Sequence, residues 1–342
     1  MTSWNSEKYR QLESKILLHN RELLEDVGMS VGIVRHNDTV FFSAGSLHKN
    51  DECAINQDSV FEIGSITKTF TALLISLEIG RGAIALDAPI DKLLPDSIKL
   101  RGNLLNRIKV TDLASHQSGL PTLADDQYLD SLLRMNSKQP FAAVDTPYIQ
   151  QVLSNTEDLS HYGFYRYSNF AYALLGLIIE QCTGLSYENA LATQLTVCLS
   201  MTRTRLNNFM TNNQVGCFNQ QGDVVERLIA NKIAPAGGLC STASDLIKYV
   251  KAQINPSYTP LGKAIELSHQ TFCVANGFAV GLGWNSSSNG KLTYFEKTGD
   301  SFGNSSLLRF DKENKVGLVV LLNHQNSSLV KKIADELYSD LL

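Results

Sequence analysis

The sequence predicts an α/β (α+β) fold in which an antiparallel β-sheet is flanked by helices and carries a mostly helical insertion. Near the amino terminus, the segments MSVGIVR and TVFFSAGS flank the tripeptide HND, a pattern typical of a β-hairpin. Near the carboxyl terminus, several segments again have the alternation of strands, whereas residues 104–255 carry helical patterns broken by glycine and proline loops. Strands from both ends of the chain are therefore expected to meet in one sheet.

This expectation makes residues 1–342 a single unit with two subdomains. The sheet subdomain is expected to span about residues 1–103 and 256–342, and the helical subdomain about residues 104–255. No internal repeat or low-complexity segment divides the chain further.

The remaining elements follow from their patterns in chain order. The first 28 residues form an amphipathic, charged pattern that predicts a helix before the hairpin, and a second helix starts near Ser65 and ends at GRGAIALDAPIDKLLP. The strands predicted after residue 255 are GFAVGLGWNS, KLTYFEKTG, SSLLRFD and KVGLVVLLN. A closing helix is predicted from Ser327 to Leu342.

Composition excludes several classes of protein. The 342 residues are 43% apolar and 19% charged, with a formal charge of −4 and no block of lysine and arginine, so no nucleic-acid partner or anionic membrane surface is indicated. The longest strongly apolar run, FAYALLGLII at residues 170–179, is too short to span a bilayer. The six cysteines lack Cys-x-x-Cys spacing, which favours free thiols over a metal site, although one or two disulfide bridges stay open.

The amino terminus leaves the compartment open between two alternatives. It has neither the basic start nor the apolar stretch and small-residue cleavage site of a signal peptide. The protein is then cytoplasmic, or it is periplasmic or secreted and a signal peptide has been removed.

The stretch FEIGSITKTFTALLISLE contains the first candidate catalytic pair. Lys68 follows Ser65 by three residues, so the two side chains should touch if a helix begins at Ser65. A nearby base activates a serine hydroxyl, and lysine becomes a base where burial or positive charge lowers its pKa. The alternative is that Ser65 only caps the helix. The same Ser-x-x-Lys pattern also occurs at Ser46, Ser288 and Ser328.

Two later motifs also lie at the ends of predicted elements. Tyr167-Ser168-Asn169 precedes an apolar helix, although a second Tyr-x-Asn occurs at Tyr187. Lys297-Thr298-Gly299 ends a predicted strand and occurs once in the chain. Each motif alone also fits a structural role, as a buried tyrosine or as a turn after a strand.

The Gly-x-Ser-x-Gly motif GMSVG, residues 28–32, indicates a different nucleophile. That motif requires a strand before the serine and a helix after it, and here the predicted order is reversed. Ser30 is therefore expected to be only a strand residue.

The three motifs occur along the chain in the order Ser-x-x-Lys, Tyr-x-Asn, Lys-Thr-Gly. With all three in this order, the chain resembles the active-site serine penicillin-recognising enzymes. The tyrosine of the middle motif makes it similar to class C β-lactamases, D-alanyl-D-alanine carboxypeptidases and family VIII esterases. Similar stretches extend the resemblance from about residue 28 to the end: LASHQSGLP (113–121), GLIIEQCTGLSYENAL (176–191), LSMTRT (199–204) and PAGGLCSTASDL (235–246). The resemblance implies a β-lactamase/transpeptidase-like fold.

The resemblance also implies a reaction that passes through a serine ester, with no metal or organic cofactor. Ser65 would attack an amide, β-lactam or ester carbonyl. Tyr167, between Lys68 and Lys297, would shuttle protons as a phenolate whose pKa the two cations lower.

The same resemblance assigns the substrate-binding groups. Asn169 would hydrogen-bond the amide of the acyl side chain, and Thr298, within Lys-Thr-Gly with Gly299, would hold the far end of the substrate. The backbone N–H groups of Ser65 and Asp300 would form the oxyanion hole.

Three activities remain open for a small-molecule or peptide substrate. A true lysine at position 297 favours a D-alanyl-D-alanine carboxypeptidase or β-lactamase-like hydrolase. A cytoplasmic location would favour a carboxylesterase, and the third alternative is a penicillin-binding sensor that is acylated without turnover. The carboxylate of Asp300 either lies near Thr298, where it would repel an anionic substrate, or points to solvent or to a nearby cation.

Overall fold

A computed structural model describes residues 6–20, 27–50, 52–98, 104–123, 125–207, 211–288 and 293–342. Eleven α-helices in this part of the chain, α1 to α11, span Ser6–Asn20, Thr67–Gly80, Val110–Ala114, Gln127–Met135, Thr146–Ser154, Asn169–Thr183, Tyr187–Leu191, Ala234–Gly237, Ala243–Ile254, Pro260–Ser268 and Ser327–Leu341. The strands described there, β1 to β11, span Met29–Arg35, Asp38–Ala44, Phe61–Glu62, Arg205–Leu206, Leu239–Ser241, Cys273–Ala275, Phe278–Val280, Asn285–Ser288, Thr293–Asp300, Ser305–Asp311 and Val316–Leu322.

Eight strands form one antiparallel sheet in the order β2-β1-β11-β10-β9-β8-β7-β6. The amino-terminal hairpin lies beside the last strand, with Val31 of β1 opposite Val320 of β11. Helices cover both faces of the sheet, which confirms the predicted fold class.

The central strand β11 shows why the sheet needs helices on both sides. Its residues alternate between two buried clusters: Val319 and Leu321 belong to the cluster that includes α2, α6 and α9, whereas Leu318 and Val320 belong to the cluster that includes α1 and α11. Neighbouring side chains of a strand point to opposite faces, so a continuous apolar run such as VGLVVLL requires burial on both faces.

The structure corrects several details of the sequence prediction. The predicted strand GFAVGLGWNS is two short strands, β7 and β8, because a turn between them is closed by the hydrogen bond from Gly281 N–H to Trp284 O (2.8 Å). Strand β6 and a separate sheet in the order β3-β5-β4 were not predicted. Parts of the predicted first helix (residues 1–5 and 21–26) and the start of KLTYFEKTG (residues 291–292) lie outside the described residues.

The hairpin of β1 and β2, strands β10 and β11 and the closing helix agree with the prediction within one or two residues. The structure describes all six cysteines, and none of them forms a disulfide bridge. Among the helices that the structure describes, none is long and apolar enough to cross a membrane.

Candidate active site

Ser65 lies in a single 3-10 turn, Gly64–Ile66, that leads directly into α2. The helix was expected to begin at Ser65, and its α-helical part begins two residues later. The alternative role as a cap is wrong, because Ile66 occupies the cap position and no side chain caps α2 there. The Ser65 hydroxyl instead lies 3.0 Å from Lys68 Nζ and accepts a 2.5 Å hydrogen bond from the Tyr167 hydroxyl.

Lys68, in the first turn of α2, is completely buried. Besides the Ser65 hydroxyl, its Nζ contacts Asn169 Oδ1 at 2.8 Å and the carbonyl oxygen of Ala236 at 2.7 Å. Burial, and secondly the charge of Lys297, hold the pKa of Lys68 well below its ordinary value of 10.5. The amine is thus surrounded by acceptors but by no carboxylate partner within the described residues.

Tyr167 precedes α6 and is held between the two lysines. Lys68 Nζ lies 4.7 Å and Lys297 Nζ 5.3 Å from the centre of its ring. The hydroxyl of Tyr187, the tyrosine of the competing Tyr-x-Asn motif, instead contacts Thr71 Oγ1 at 2.7 Å.

The expected lowering of the Tyr167 pKa is wrong. Burial raises the pKa of the Tyr167 phenol, and it outweighs the hydrogen bond to Ser65, which lowers that pKa. The negative charge of Asp300 also raises it. Both neighbouring lysines have lowered pKa values of their own, so the positive charge available to stabilise a resting phenolate is reduced.

Strand β9 carries the third motif along the edge of the site. Lys297 and Gly299 are buried, whereas Thr298 and Asp300 are exposed, as the alternation of a strand requires. Burial lowers the pKa of Lys297 to about 8. A Cβ atom added to Gly299 would meet Ile63 O and lie 2.8 Å from Ser65 N, so β9 and the 3-10 turn approach each other as closely as their backbones permit.

Asp300 faces the amino-terminal end of α11. Its Oδ1 accepts hydrogen bonds from Ser305 Oγ (2.5 Å) and Ser327 Oγ (2.7 Å). Within the described residues, the exposed carboxylate is thus hydrogen-bonded to two serines and not paired with a lysine or arginine. Its negative charge raises the pKa of Tyr167, although burial of the phenol is the largest cause.

The structure therefore brings the side chains of Ser65, Lys68, Tyr167 and Asn169 together and sets Lys297 beside them. Ser30 is buried within β1, where its hydroxyl contacts Ser43 Oγ at 3.0 Å.

Sequence reasoning missed two groups. The carbonyl of Ala236 in α8 carries no side-chain signal at all. His116, within the quoted stretch LASHQSGLP, packs on the Tyr167 ring with 4.5 Å between ring centroids.

The helix-flanked sheet together with a serine in contact with lysine and tyrosine indicates a serine hydrolase of the class that the three motifs resemble. The chain belongs to the Beta-lactamase family, because the Beta-lactamase family model matches residues 21–340. A β-lactamase of Pseudomonas fluorescens is 26% identical over 266 residues, which cover 75% of this chain and 68% of that protein.

Two solved structures share the fold. A class C β-lactamase superposes on this chain with a TM-score of 0.85 at 20% identity. The superposition covers 100% of this chain and 99% of the chain of that β-lactamase. A β-lactamase/D-alanine carboxypeptidase from Pseudomonas syringae gives a TM-score of 0.83 at 21% identity, with 96% of this chain and 99% of that chain covered. At these identities the likeness extends to the fold, and the particular activity has to be argued from the site.

Proposed function

We propose that this chain is an acyl-enzyme hydrolase of the β-lactamase or D-alanyl-D-alanine carboxypeptidase type, with Ser65 as its nucleophile. The observation that carries the proposal is the pair of contacts to the Ser65 hydroxyl, 3.0 Å from Lys68 Nζ and 2.5 Å from the Tyr167 hydroxyl. Nucleophile and base within hydrogen-bonding distance are the signature of covalent catalysis.

Lys68 is the general base in this proposal. A neutral lysine has two N–H groups, which Asn169 Oδ1 and Ala236 O can accept at 2.8 and 2.7 Å. The lone pair of the nitrogen is then left for the proton of the Ser65 hydroxyl. The lowered pKa of Lys68 supports this role, because an amine must be neutral before it can accept a proton.

Tyr167 acts from its protonated form as the general acid. When Ser65 attacks the carbonyl, Lys68 takes the serine proton and Tyr167 gives its own proton to the departing nitrogen or oxygen. The phenolate formed at that moment has the Nζ atoms of Lys68 and Lys297 at 4.7 and 5.3 Å from the centre of its ring. It recovers a proton from Lys68. The net result transfers the serine proton to the leaving group, and water then cleaves the ester of Ser65.

The oxyanion hole proposed for this reaction consists of the backbone N–H groups of Ser65 and Asp300. The close approach of β9 to the 3-10 turn supports it, since an added Cβ on Gly64 would lie 2.6 Å from Asp300 N. Two N–H groups side by side can stabilise the negative oxygen of a tetrahedral intermediate.

Asn169, Lys297 and Thr298 are the proposed substrate contacts. The side-chain NH₂ group of Asn169 is available for an acyl amide, because within the described residues that group donates only one long hydrogen bond, to Leu123 O (3.4 Å). Lys297 and exposed Thr298 on β9 would receive the far end of the substrate, where a carboxylate is attracted by the cation.

A carboxylesterase is the second candidate, and Asp300 favours it. The carboxylate is exposed, two residues along β9 from Thr298 and on the same face of the strand. Its negative charge would disfavour an anionic substrate more than a neutral ester.

Intact-mass spectrometry after incubation with benzylpenicillin, followed over hours, tests the proposal and separates the candidates. A lasting adduct identifies a carboxypeptidase or a sensor, and release of D-alanine from a D-alanyl-D-alanine peptide separates these two. An adduct that disappears as penicilloate accumulates identifies a β-lactamase. Absence of any adduct, together with hydrolysis of p-nitrophenyl acetate, identifies the esterase and overturns the preferred activity.

A further inference from the structure

His116 lies in the loop after α3 and contacts the tyrosine to which the proposed function assigns proton transfer. The side chain is 2% exposed, and its ring lies against the Tyr167 ring at 4.5 Å between centroids. The Tyr172 ring packs on it at 5.2 Å and the Tyr165 ring at 5.8 Å. None of these contacts of His116 reaches Ser65, so any part it has in the reaction is exerted through Tyr167.

The residues on both sides of Tyr167 are hydrogen-bonded to His116. The N–H of Arg166 donates to the His116 carbonyl oxygen at 2.7 Å, and the N–H of Ser168 donates to His116 Nδ1 at 3.1 Å. Because the bonds precede and follow Tyr167, they restrict the backbone on which its side chain is mounted. The ring contact then limits the side chain itself.

The Ser168 bond determines the protonation state of the imidazole. Nδ1 is an acceptor in that bond, so the imidazole is neutral and its proton is on Nε2. Burial, followed by the charges of Lys297 and Lys68, holds the pKa of His116 well below 6.5. The other titratable groups that face the ring are the phenols of Tyr165, Tyr167 and Tyr172, and these are uncharged while protonated. The acceptor is therefore preserved over the neutral pH range.

Two further observations show that this arrangement of His116 costs free energy of folding. The His116 backbone has φ of 62°, in the left-handed region that most side chains avoid. Its Nε2 is buried without a hydrogen-bond partner among the described residues. Such local costs persist where the surrounding structure requires a particular geometry.

We infer that His116 is a positioning residue that fixes the Tyr167 hydroxyl against Ser65 by holding the backbone on both sides of the tyrosine. The inference rests on the proposed function, because it gives His116 an effect on the rate only through Tyr167.

A double-mutant cycle between position 116 and Tyr167 tests the inference. His116→Asn places an acceptor near the level of Nδ1 and tolerates a positive φ, whereas His116→Gln places its oxygen near the level of Nε2. We expect His116→Asn to keep kcat within about fivefold of wild type and His116→Gln to lower it about 10- to 100-fold, the scale of a misplaced catalytic group. In the Tyr167→Phe background, neither substitution should change kcat by more than about twofold, because the group being positioned is absent.

The cycle uses a fluorescent penicillin, or p-nitrophenyl acetate if no penicillin adduct forms, with thermal unfolding recorded for every variant. His116→Ala replaces His116→Gln in the cycle if the glutamine variant does not fold. His269→Asn is the matched control, because His269 is also buried, hydrogen-bonded to Gln253 Oε1 at 2.9 Å and packed on an aromatic ring. It should alter thermal stability without changing kcat.

The inference would be overturned if His116→Gln lowered kcat by the same factor in the wild-type and Tyr167→Phe backgrounds. It would also be overturned if His116→Asn lowered kcat as much as His116→Gln does. A Tyr167→Phe protein with wild-type kcat would instead contradict the proposed function. The two failures are therefore distinguishable.

Discussion

Replacing Lys297 with glutamine should move the acidic limb of the pH–rate profile upward by about one pH unit. Lys68 must be neutral to accept the Ser65 proton, so the rate falls as the pH falls through the pKa of Lys68. Lys297, with a pKa of about 8, is charged over the acidic part of that range and its charge lowers the pKa of Lys68. Removing that charge raises the pKa of Lys68, and activity is then lost at a higher pH.

The magnitude follows from the distance between the two cations. Their Nζ atoms lie 4.7 and 5.3 Å from the centre of the Tyr167 ring, so they are at most about 10 Å apart. At an effective dielectric constant of about 20, two unit charges separated by about 10 Å repel by about 1.7 kcal/mol. A tenfold change in an equilibrium constant takes about 1.4 kcal/mol, so this repulsion accounts for a movement of the limb by about one pH unit.

The assay is kcat/KM for the accepted substrate between pH 4.5 and 9, because this ratio reports the pKa values of the free enzyme. The position of the limb is informative even though Lys297→Gln also lowers the maximal rate. Lys251→Gln is the control, since Lys251 is an exposed lysine that contacts Asn37 O at 3.4 Å. An acidic limb that stays in place or moves down in the Lys297 variant would refute the assignment of Lys68 as the base.

Three further substitutions test other parts of the site. Tyr167→Phe should lower kcat by about 100-fold, the usual effect of losing general acid–base catalysis. The control Tyr187→Phe removes only a hydrogen bond to Thr71 and should affect thermal unfolding more than kcat. Asp300→Ser should raise kcat/KM for an anionic β-lactam but not for a neutral ester, and the gain should shrink at high salt; equal changes would show that this carboxylate does not select substrate charge. Gly64→Ala should lower kcat about 100-fold or more, because the new Cβ meets Asp300 O at a backbone φ of 46° and disturbs the oxyanion hole. Gly80→Ala, where nothing lies within 4 Å of the added atom, should leave kcat unchanged.

The parts of the fold that the sequence predicted are those with strong periodic burial. Strand β11 and helix α11 bury continuous or periodic apolar residues, and their limits are close to the predicted ones. The two-residue strands β3 and β4 were missed because a segment so short has no period to detect.

The candidate site was likewise predicted only in part from the sequence. Motif order identified Ser65, Lys68, Tyr167 and Lys297, because each side chain lies at the end of a recognisable element. The carbonyl of Ala236 and the backbone bonds of His116 carry no residue-type signal, since any amino acid has an N–H or a carbonyl oxygen to offer.

The protonation state of Tyr167 was predicted wrongly for a related reason. Counting the two neighbouring lysines predicts a phenolate, whereas the structure shows that burial has the larger effect and raises the pKa. Burial depends on elements far apart in the sequence, such as α2, α6 and β9, and is therefore visible only in the folded chain.

The most direct test of the central claim is the location of the covalent adduct. The protein is incubated with benzylpenicillin or a fluorophosphonate, digested and analysed by peptide mass spectrometry, in parallel with Ser65→Ala and with Ser30→Ala as the matched control. The account predicts that the added mass lies on Ser65, is absent from the Ser65→Ala protein and is unchanged in the Ser30→Ala protein. An adduct that persists in the Ser65→Ala protein, or that maps to another residue, would contradict it.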